Sequence, residues 1–459
     1  MKISKVIPIF KSGSHNEISD YRPISIVSPL SKIFEKIIKS RLILFLDNLK
    51  ILNDSQYGFR KKMSTELALM KFCNDTTNYL NNSKNTLAVF LDFSKAFDSV
   101  NHQILIDKLN HYGIRGTTLS LINSYLSNRT QYVQYNSENS NILKVTSGVP
   151  QGSVLGPLLF IIFINDIINT TNNSEFIMFA DDCTLYSNST NITDLITSTN
   201  LNLKTIYQWS LLNKIYINMK KTKFIFFTHT KGIAINNIDI KINNVNIERV
   251  DTFKLLGVII DSRLNFKSHI NHVISKITIS MGILFRIKPF LNRATLKSLY
   301  YALVYSHLYY CNLIWGSANK TDIQNIYTIQ KRIIKFTYTT SSRYDHISDS
   351  DTFYKNNLLS IFEINSFKTC LLIHRIIYNK LTLDQIFMSI FSNTGLTNYP
   401  TRNKNTYLLH TLRINNKLSS RNICFYGPIL WNKLPLYLKI ITSYNIFKKQ
   451  LKTFYICFT

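Results

Sequence analysis

Acidic residues are scarce: 26 Asp and Glu stand against 54 Lys and Arg in 459 residues, leaving a formal net charge of +28 and a pI near 9.7. That imbalance argues against an acidic small molecule as ligand and for a polyanionic partner, nucleic acid ahead of an anionic membrane surface. Paired cysteines are missing too. Cys73, Cys183, Cys311, Cys370, Cys424 and Cys457 form no CxxC and have no nearby His spacing, so no zinc site is expected and they read as reduced core thiols. The most apolar run, residues 154–168, is too short to span a bilayer and is broken by Pro157, Asn165 and Asp166; no membrane role is expected. The opening MKISKVIPIF lacks a signal-peptide cleavage pattern, which points to an intracellular protein, in the nucleus, the cytoplasm or both, and not a secreted one. There is no tandem repeat, and the surplus of Asn, Ile and Lys is compositional drift.

What is present supports a folded chain, with 45% apolar residues and 13% aromatics, enough for two to four domains. An extended apolar piece, Val6-Ile7-Pro8-Ile9, precedes a polar turn at Gly13 and a helical pattern from Leu30 to Leu49. The run LAVFL ends on Asp92 and suits a buried strand that delivers a carboxylate at its end; a helix from Ile104 to His111, closed by Gly113, follows. FIMF leads into Ala180-Asp181-Asp182 and resumes as Thr184-Leu185-Tyr186, a hairpin with two carboxylates at its turn. Between Asn265 and Tyr344, eleven Lys or Arg meet one acid, Asp322, in helical periodicity, which predicts a separate cationic helical domain. Its tyrosines, among them Tyr300, Tyr301, Tyr305, Tyr309 and Tyr310, have the spacing of core packing. The last stretch mixes helical segments with an Asn- and Thr-rich loop near Asn393 to Asn405 and ends near GPILW.

Nucleotidyl transfer needs two divalent ions, one activating the attacking 3′-hydroxyl and one holding the triphosphate. Asp92, Asp181 and Asp182 offer the hard oxygen ligands such ions take. An isolated Asp-Asp pair is more often a solvated turn. Here both acidic sites follow runs that should be buried, where an unpaired charge is costly and a bound cation compensates.

In this order, FLDFSKAFDSVNHQIL, SGVPQGSVLGPLLFIIFIND, FADD and FKLLGVIID resemble the palm motifs of reverse transcriptases of non-LTR (LINE-type) retrotransposons, nearest to the jockey group. The similarity begins at VIPIFKSGSHNEISDYRPISIVSPLSKIFEKII and QYGFRKKMSTELAL and runs to GPILWNKLP, nearly the whole chain. The resemblance implies an α+β right-hand polymerase fold of fingers, palm and thumb, with an antiparallel palm sheet and a helical basic C-terminal part. Fingers and palm would occupy residues 1–260, with palm motifs at 87–98, 147–166, 176–186, 216–227 and 253–261. A thumb-like domain would follow at 261–345 and a retrotransposon-type region at 346–459.

Carried over by position, Asp92 matches the first catalytic aspartate and Asp181 and Asp182 the pair of the FADD turn, with the Phe93 carbonyl completing a metal shell. The implied cofactors are two Mg2+ ions, with Mn2+ as substitute. Phe97 falls where the family keeps an aromatic ring against the sugar, rejecting a 2′-hydroxyl; its other reading is a core aromatic. Gln151 and Gly152 resemble the loop beneath the incoming nucleotide, or equally a turn that starts a buried helix. Lys11 and Arg22 look like fingers residues that clamp the triphosphate, with plain surface charge as the alternative. Lys221 resembles the palm lysine beside the leaving pyrophosphate, with Lys220 and Lys223 as rivals. The residues after Phe253 resemble a primer grip and a thumb on the duplex backbone. The implied partners are an RNA template, a DNA primer or target and deoxynucleoside triphosphates. Full-length elements of this kind carry an endonuclease ahead of the polymerase, and none is expected here; a CCHC knuckle and a ribonuclease H pattern are also lacking. Two other readings stand beside the polymerase: a nucleic-acid-binding remnant that has lost activity, and an intron maturase-type reverse transcriptase.

Overall fold

The computed structural model describes residues 2–11, 13–171, 174–228, 238–338, 349–379, 408–409, 411 and 421–458; the Asn- and Thr-rich stretch at 393–405 lies outside them. The chain divides into two units. The first comprises Met1–Ala68, Asn85–Phe226 and Thr230–Val250. In it β1 (Ile3–Phe10) and β2 (Tyr21–Ile26) form an antiparallel hairpin, followed by α1 (Pro29–Asn48). Helix α2 (Thr65–Asn81) begins in this unit and belongs for most of its length to the other. Next come β3 (Asn85–Leu91), α3 (His102–His111), α4 (Gly116–Leu126) and β4 (Arg129–Tyr135), which pairs with β1 in parallel. Short strands β5 (Glu138–Asn139) and β6 (Leu143–Val145) both pair with β4.

After α5 (Gly156–Phe163), a second sheet completes the unit. It is built from β7 (Glu175–Phe179), β8 (Asp182–Ser189), β9 (Lys223–Phe227) and β12 (Glu248–Arg249) together with β3; the helix α6 (Ile192–Leu212) and the hairpin of β10 (Lys241–Ile242) and β11 (Val245–Asn246) lie between its strands in sequence. The strand order is β12-β9-β3-β8-β7. Strands β3, β8 and β7 are antiparallel, as expected of the palm, whereas β12 adds to β9 in parallel. A two-residue edge strand carries no periodicity from which its direction could be read. Every residue of β3 is buried, which is what a continuous apolar run covered on both faces requires.

The core turns on α5. Its sequence, GPLLFIIF, has no polar side chain, and all of it but Pro157 is buried. A helix in that position must still satisfy its terminal backbone groups without water. The buried Glu35 of α1 does this at the start: its carboxylate accepts from the Val154 and Leu155 N–H groups at 2.6 and 2.9 Å and from the Ser31 hydroxyl at 3.1 Å. At the far end the Lys108 ammonium donates to the Phe163 carbonyl and to Asp166, both at 2.6 Å. Burial pushes the Lys108 pKa down, and Asp166 opposes the shift. An anion at the N-terminus and a cation at the C-terminus suit the helix dipole.

The second unit comprises Leu69–Lys84, Phe227–His229 and Asp251–Thr459. It opens with the hairpin of β13 (Thr252–Leu255) and β14 (Val258–Asp261), which leads into α7 (Lys267–Ile287). The Asp261 carboxylate accepts from the Arg263, Asn265 and Phe266 N–H groups, tying hairpin to helix. The hairpin and α7 lie in the same unit, the division falling after Val250. Tyr301 meets Tyr305 edge-on and Tyr305 stacks on Tyr309, Tyr300 is fully buried, and Tyr310 is exposed with its hydroxyl on the Leu256 carbonyl. Helices Ile361–Asn379, Ile423–Lys433 and Tyr444–Phe458 pack within the same unit, so residues beyond 346 form no third body among those described. Asn74, on α2, receives the Asn422 amide at 2.6 Å and the Cys424 thiol at 3.0 Å. The cysteines are all free, and only Cys457 is exposed.

The segment Lys267–Phe290, 24 residues long with an 18-residue window of mean hydropathy 1.2, is long and apolar enough to cross a membrane by length and composition alone, a test that the core helix of a soluble protein also passes. Its apolar residues are spread between polar ones such as His269, His272 and Lys276, which is why no unbroken run marked it in the sequence.

Replacing Glu35 by Ala leaves two buried N–H groups without an acceptor, which costs about 2–4 kcal/mol. The expected outcome is a melting temperature several degrees lower by circular dichroism, with a smaller loss for Glu35→Gln, which keeps an acceptor oxygen.

Candidate active site

The register of the second sheet brings the acids together. Strand β3 pairs with β8 from Asn85↔Ser189 to Leu91↔Cys183, so the next residue of each strand, Asp92 and Asp182, emerge at the same end. Pairing of Phe179 with Asp182 closes the β7–β8 hairpin through a two-residue turn, Ala180-Asp181. Asp182 is therefore the first residue of β8, while Asp181 lies in the turn itself. Such turns need a positive φ at the first central position, usually supplied by Gly or Asn. Ala180 adopts it at φ 59°, a conformation that costs a non-glycine residue roughly 1–2 kcal/mol.

The strain is held from below by Gln56, which the sequence reading passed over. Its buried side-chain carbonyl accepts from the Ala180 N–H at 3.2 Å and the Gly58 N–H at 2.8 Å. Backbone bonds from Tyr57 N–H to the Met178 carbonyl and from Met178 N–H to the Ser55 carbonyl, both 2.8 Å, dock this segment along β7. A Cβ on Gly58 would lie 2.3 Å from the Ala180 nitrogen, so only glycine fits. Neither charge nor periodicity in QYGFR signals the role of Gln56.

Asp92 leaves β3 half-buried. Its carbonyl accepts from the Asn218 N–H at 2.7 Å, and the Ser94 N–H donates to the Tyr216 carbonyl at 2.8 Å. These two bonds flank the Phe93–Ile217 bridge and make it a non-hydrogen-bonded pair, so the bridge does not consume the Phe93 carbonyl. Burial raises the Asp92 pKa and Asp181 adds to it, against Lys221, Lys11 and a hydrogen bond with Asn218. Asp182 keeps much of its surface accessible, yet surrounding protein displaces enough water to push its carboxyl up to about 6. The charges of Asp181 and Asp92 reinforce that shift, and Lys11 and Arg22 oppose it.

The structure thus gathers Asp92, Asp181, Asp182, Lys11, Arg22 and Lys221 within reach of one another's charge. Lys11 follows β1 and Arg22 pairs with Ile9 across the hairpin; both are exposed. Of the three candidate lysines, Lys223 is held by Glu248, and Lys221 is the one whose charge Asp92 senses. Among the described residues, no group of three or more His, Cys, Asp or Glu is gathered closely enough to hold a metal by itself. The donor set nevertheless fits Mg2+, which binds through one or two carboxylates and fills its remaining positions with water and substrate phosphates. A cation there also offsets the burial that chiefly raises Asp182 and the repulsion that adds to it.

Phe97, half-buried, stacks on Phe160 of α5 with ring centroids 4.3 Å apart and meets Phe59 edge-on at 6.4 Å. Gln151 and Gly152 are engaged by the protein itself. The Gln151 amide donates to both oxygens of Asp98 at 3.1 Å, and its backbone carbonyl accepts from the Ser25 N–H of β2 at 2.6 Å. Gly152 has φ 111°, and a Cβ there would fall 2.6 Å from the Ser25 carbonyl oxygen. The close approach that this glycine permits is to β2. Asp98 and Glu35 therefore join Gln56 as residues the sequence reading did not single out.

Two outcomes follow. Gln56→Leu removes the acceptor shared by two buried N–H groups, each worth about 1–3 kcal/mol; it is expected to lower the melting temperature by several degrees and to weaken Mn2+ binding measured by electron paramagnetic resonance. A carboxyl whose folded pKa lies above its unfolded value near 3.9 makes the folded state the stronger proton binder, so its contribution to stability falls as pH rises between about 4 and 6. In EDTA, Asp182→Asn is accordingly expected to raise the melting temperature at pH 7.5 by ~1–3 °C, allowing for solvent screening, and to have little effect at pH 4.

Residues 9–260 match the family model described as reverse transcriptase (RNA-dependent DNA polymerase). The chain is similar to the RNA-directed DNA polymerase from mobile element jockey of Drosophila melanogaster, at 27% identity over 345 residues, covering 73% of this chain and 37% of that one. It is similar also to the probable RNA-directed DNA polymerase from transposon BS of the same species, at 29% over 354 residues, covering 73% and 38%. It thus spans a little over a third of the length of these relatives. A solved telomerase from Candida albicans, in complex with a fragment of telomeric RNA, aligns with a TM-score of 0.40 at 13% identity, over 85% of this chain and 64% of that one.

Proposed function

The chain belongs to the reverse transcriptase family, with the right-hand polymerase fold, and from that premise we propose that it extends a DNA primer on an RNA template by two-metal nucleotidyl transfer. The observation that carries this reading is the convergence of Asp92, Asp181 and Asp182 at the end of the β3–β8 pair, opposed by Lys11, Arg22 and Lys221. When bound, two Mg2+ ions, or Mn2+ in their place, would activate the 3′-hydroxyl and neutralise the triphosphate; Asp92, Asp181, Asp182 and the Phe93 carbonyl would hold them. In this reading Lys11 and Arg22 bind triphosphate oxygens, Arg22 in bidentate fashion. Lys221 lies beside Asp92, where its ammonium can give a proton to the departing pyrophosphate. Phe97, propped on Phe160, is rigid enough to refuse a 2′-hydroxyl and so select deoxynucleotides.

In this reading the β13–β14 hairpin grips the primer end, and the cationic helices after it act as the thumb on the duplex backbone, with salt-dependent and sequence-independent affinity. We place the protein inside the cell, as part of a non-LTR retrotransposon.

The test is incorporation of deoxythymidine on poly(rA) primed with oligo(dT), in Mg2+, by the parent and by an Asp181→Ala/Asp182→Ala variant. The expected result is incorporation by the parent and a loss of at least a thousandfold in the variant, as for removal of groups that stabilise transition-state charge. A folded parent that binds primer-template at low salt but incorporates nothing would instead support the reading as a binding remnant.

A further inference from the structure

Helix α1 has more apolar surface than its own fold uses. Its inward face, Ser31, Glu35, Ile38, Leu42 and Leu46, is buried. A second row, Leu30, Ile33, Phe34, Ile37 and Leu44, recurs at the same helical spacing and stays 46–64% exposed. Scattered exposed apolar residues are ordinary, but five along one stripe of one helix form a patch of the kind that marks an interaction surface. At ~100° per residue Lys36 lies about 60° beyond the Ile33 edge of the stripe, Lys32 and Lys39 follow on the same side towards the buried face, and Arg41 interrupts the stripe between Ile37 and Leu44. Among the described residues none of these four cations has a carboxylate partner.

The chemistry narrows the occupant. Phosphate and base recognition rests on cations, polar groups and aromatic platforms, and a row with four aliphatic side chains and one phenyl ring gives nucleic acid little to bind. A second copy could meet the stripe with its own, but would bring the same unpaired lysines to the contact in a chain of net charge +28. A membrane-surface helix turns its polar face to water, whereas the face of α1 opposite this row is packed into the core. We propose that the outer face of α1 docks an amphipathic helix of another protein, whose aliphatic row covers Leu30, Ile33, Phe34, Ile37 and Leu44 and whose acidic flank pairs with Lys32, Lys36, Lys39 and Arg41. This surface does not depend on the catalytic reading.

The test uses the full chain and two fluorescein-labelled helical peptides with the same Leu and Ile row, one flanked by Glu and the other by Lys, followed by anisotropy in about 0.15 M salt. Saturable binding of the Glu peptide, at least tenfold tighter than that of the Lys peptide, is expected. Ile33→Asp/Ile37→Asp should weaken it at least tenfold with the melting temperature and primer-template affinity unchanged. Lys32→Glu/Lys36→Glu should reverse the preference between the peptides, which separates a specific dock from general stickiness. Equal binding of the two peptides, or indifference to both variants, overturns the proposal. So does a dimer seen by light scattering, or sedimentation with phosphatidylglycerol vesicles, that Ile33→Asp/Ile37→Asp abolishes; those results assign the face to self-association or to a lipid surface.

Discussion

A helix with an entirely apolar sequence can be buried only if its ends are supplied with partners from elsewhere in the chain, and the first unit is organised by that requirement. Glu35 comes from α1 and Lys108 from α3, both far in sequence from the helix whose ends they satisfy. By accepting from Val154 and Leu155, Glu35 also fixes where the 147–156 loop ends. That loop is bonded at its other positions to β2 through Ser25 and to Asp98, the neighbour of Phe97. Phe160 on the same helix supports Phe97. One buried element is therefore linked to the strand bearing Arg22, to the loop of Gln151 and to the Phe97 ring.

The acids themselves rest on a different device. Two antiparallel pairings bring Asp92 and Asp182 to one sheet end, and a strained alanine turns Asp181 toward them. Neither the strain nor the repulsion among the carboxylates favours folding. Both are tolerated because Gln56 and Gly58 clamp the turn from below and because β3 is packed at every position. The arrangement has the character of a functional site, where local cost is carried by the surrounding structure.

Much of this was legible in the sequence, for identifiable reasons. Asp92, Asp181 and Asp182 were found because each follows a run of apolar residues that must be buried, and the ends of buried strands are places where charge needs an explanation. Lys11, Arg22, Phe97 and Lys221 came from resemblance; the charges of Lys11, Arg22 and Lys221 reach the aspartates, and Phe97 packs on Phe160. Gln56 was not legible: an uncharged side chain acting through one oxygen leaves no trace in periodicity or charge. Gly152 reads from sequence as a loop or turn glycine, but the neighbour it approaches, Ser25, is distant in the chain and leaves no local trace. The units divide after Val250, ahead of the hairpin that the carboxylate of Asp261 ties to α7 through side-chain reach over a few residues. The direction of β12 and the length of the apolar helix from Lys267 were missed for opposite reasons, one element being too short to show a pattern and the other too diluted with polar residues.

The membership of α2 in the second unit has a consequence for how the protein is made. Asn74 bonds to Asn422 and Cys424, 348 and 350 residues further along the chain. At ordinary elongation rates of about 5–20 residues per second, the ribosome needs roughly 20–70 s to deliver those partners after Asn74 has been added. Throughout that interval the inner face of α2, with Leu69, Met70 and Phe72 buried in the finished protein, has no final contacts from the second unit's C-terminal helices. The nascent chain thus carries a waiting apolar helix through most of its synthesis, a natural client for a chaperone and a point at which early termination yields a product prone to aggregate.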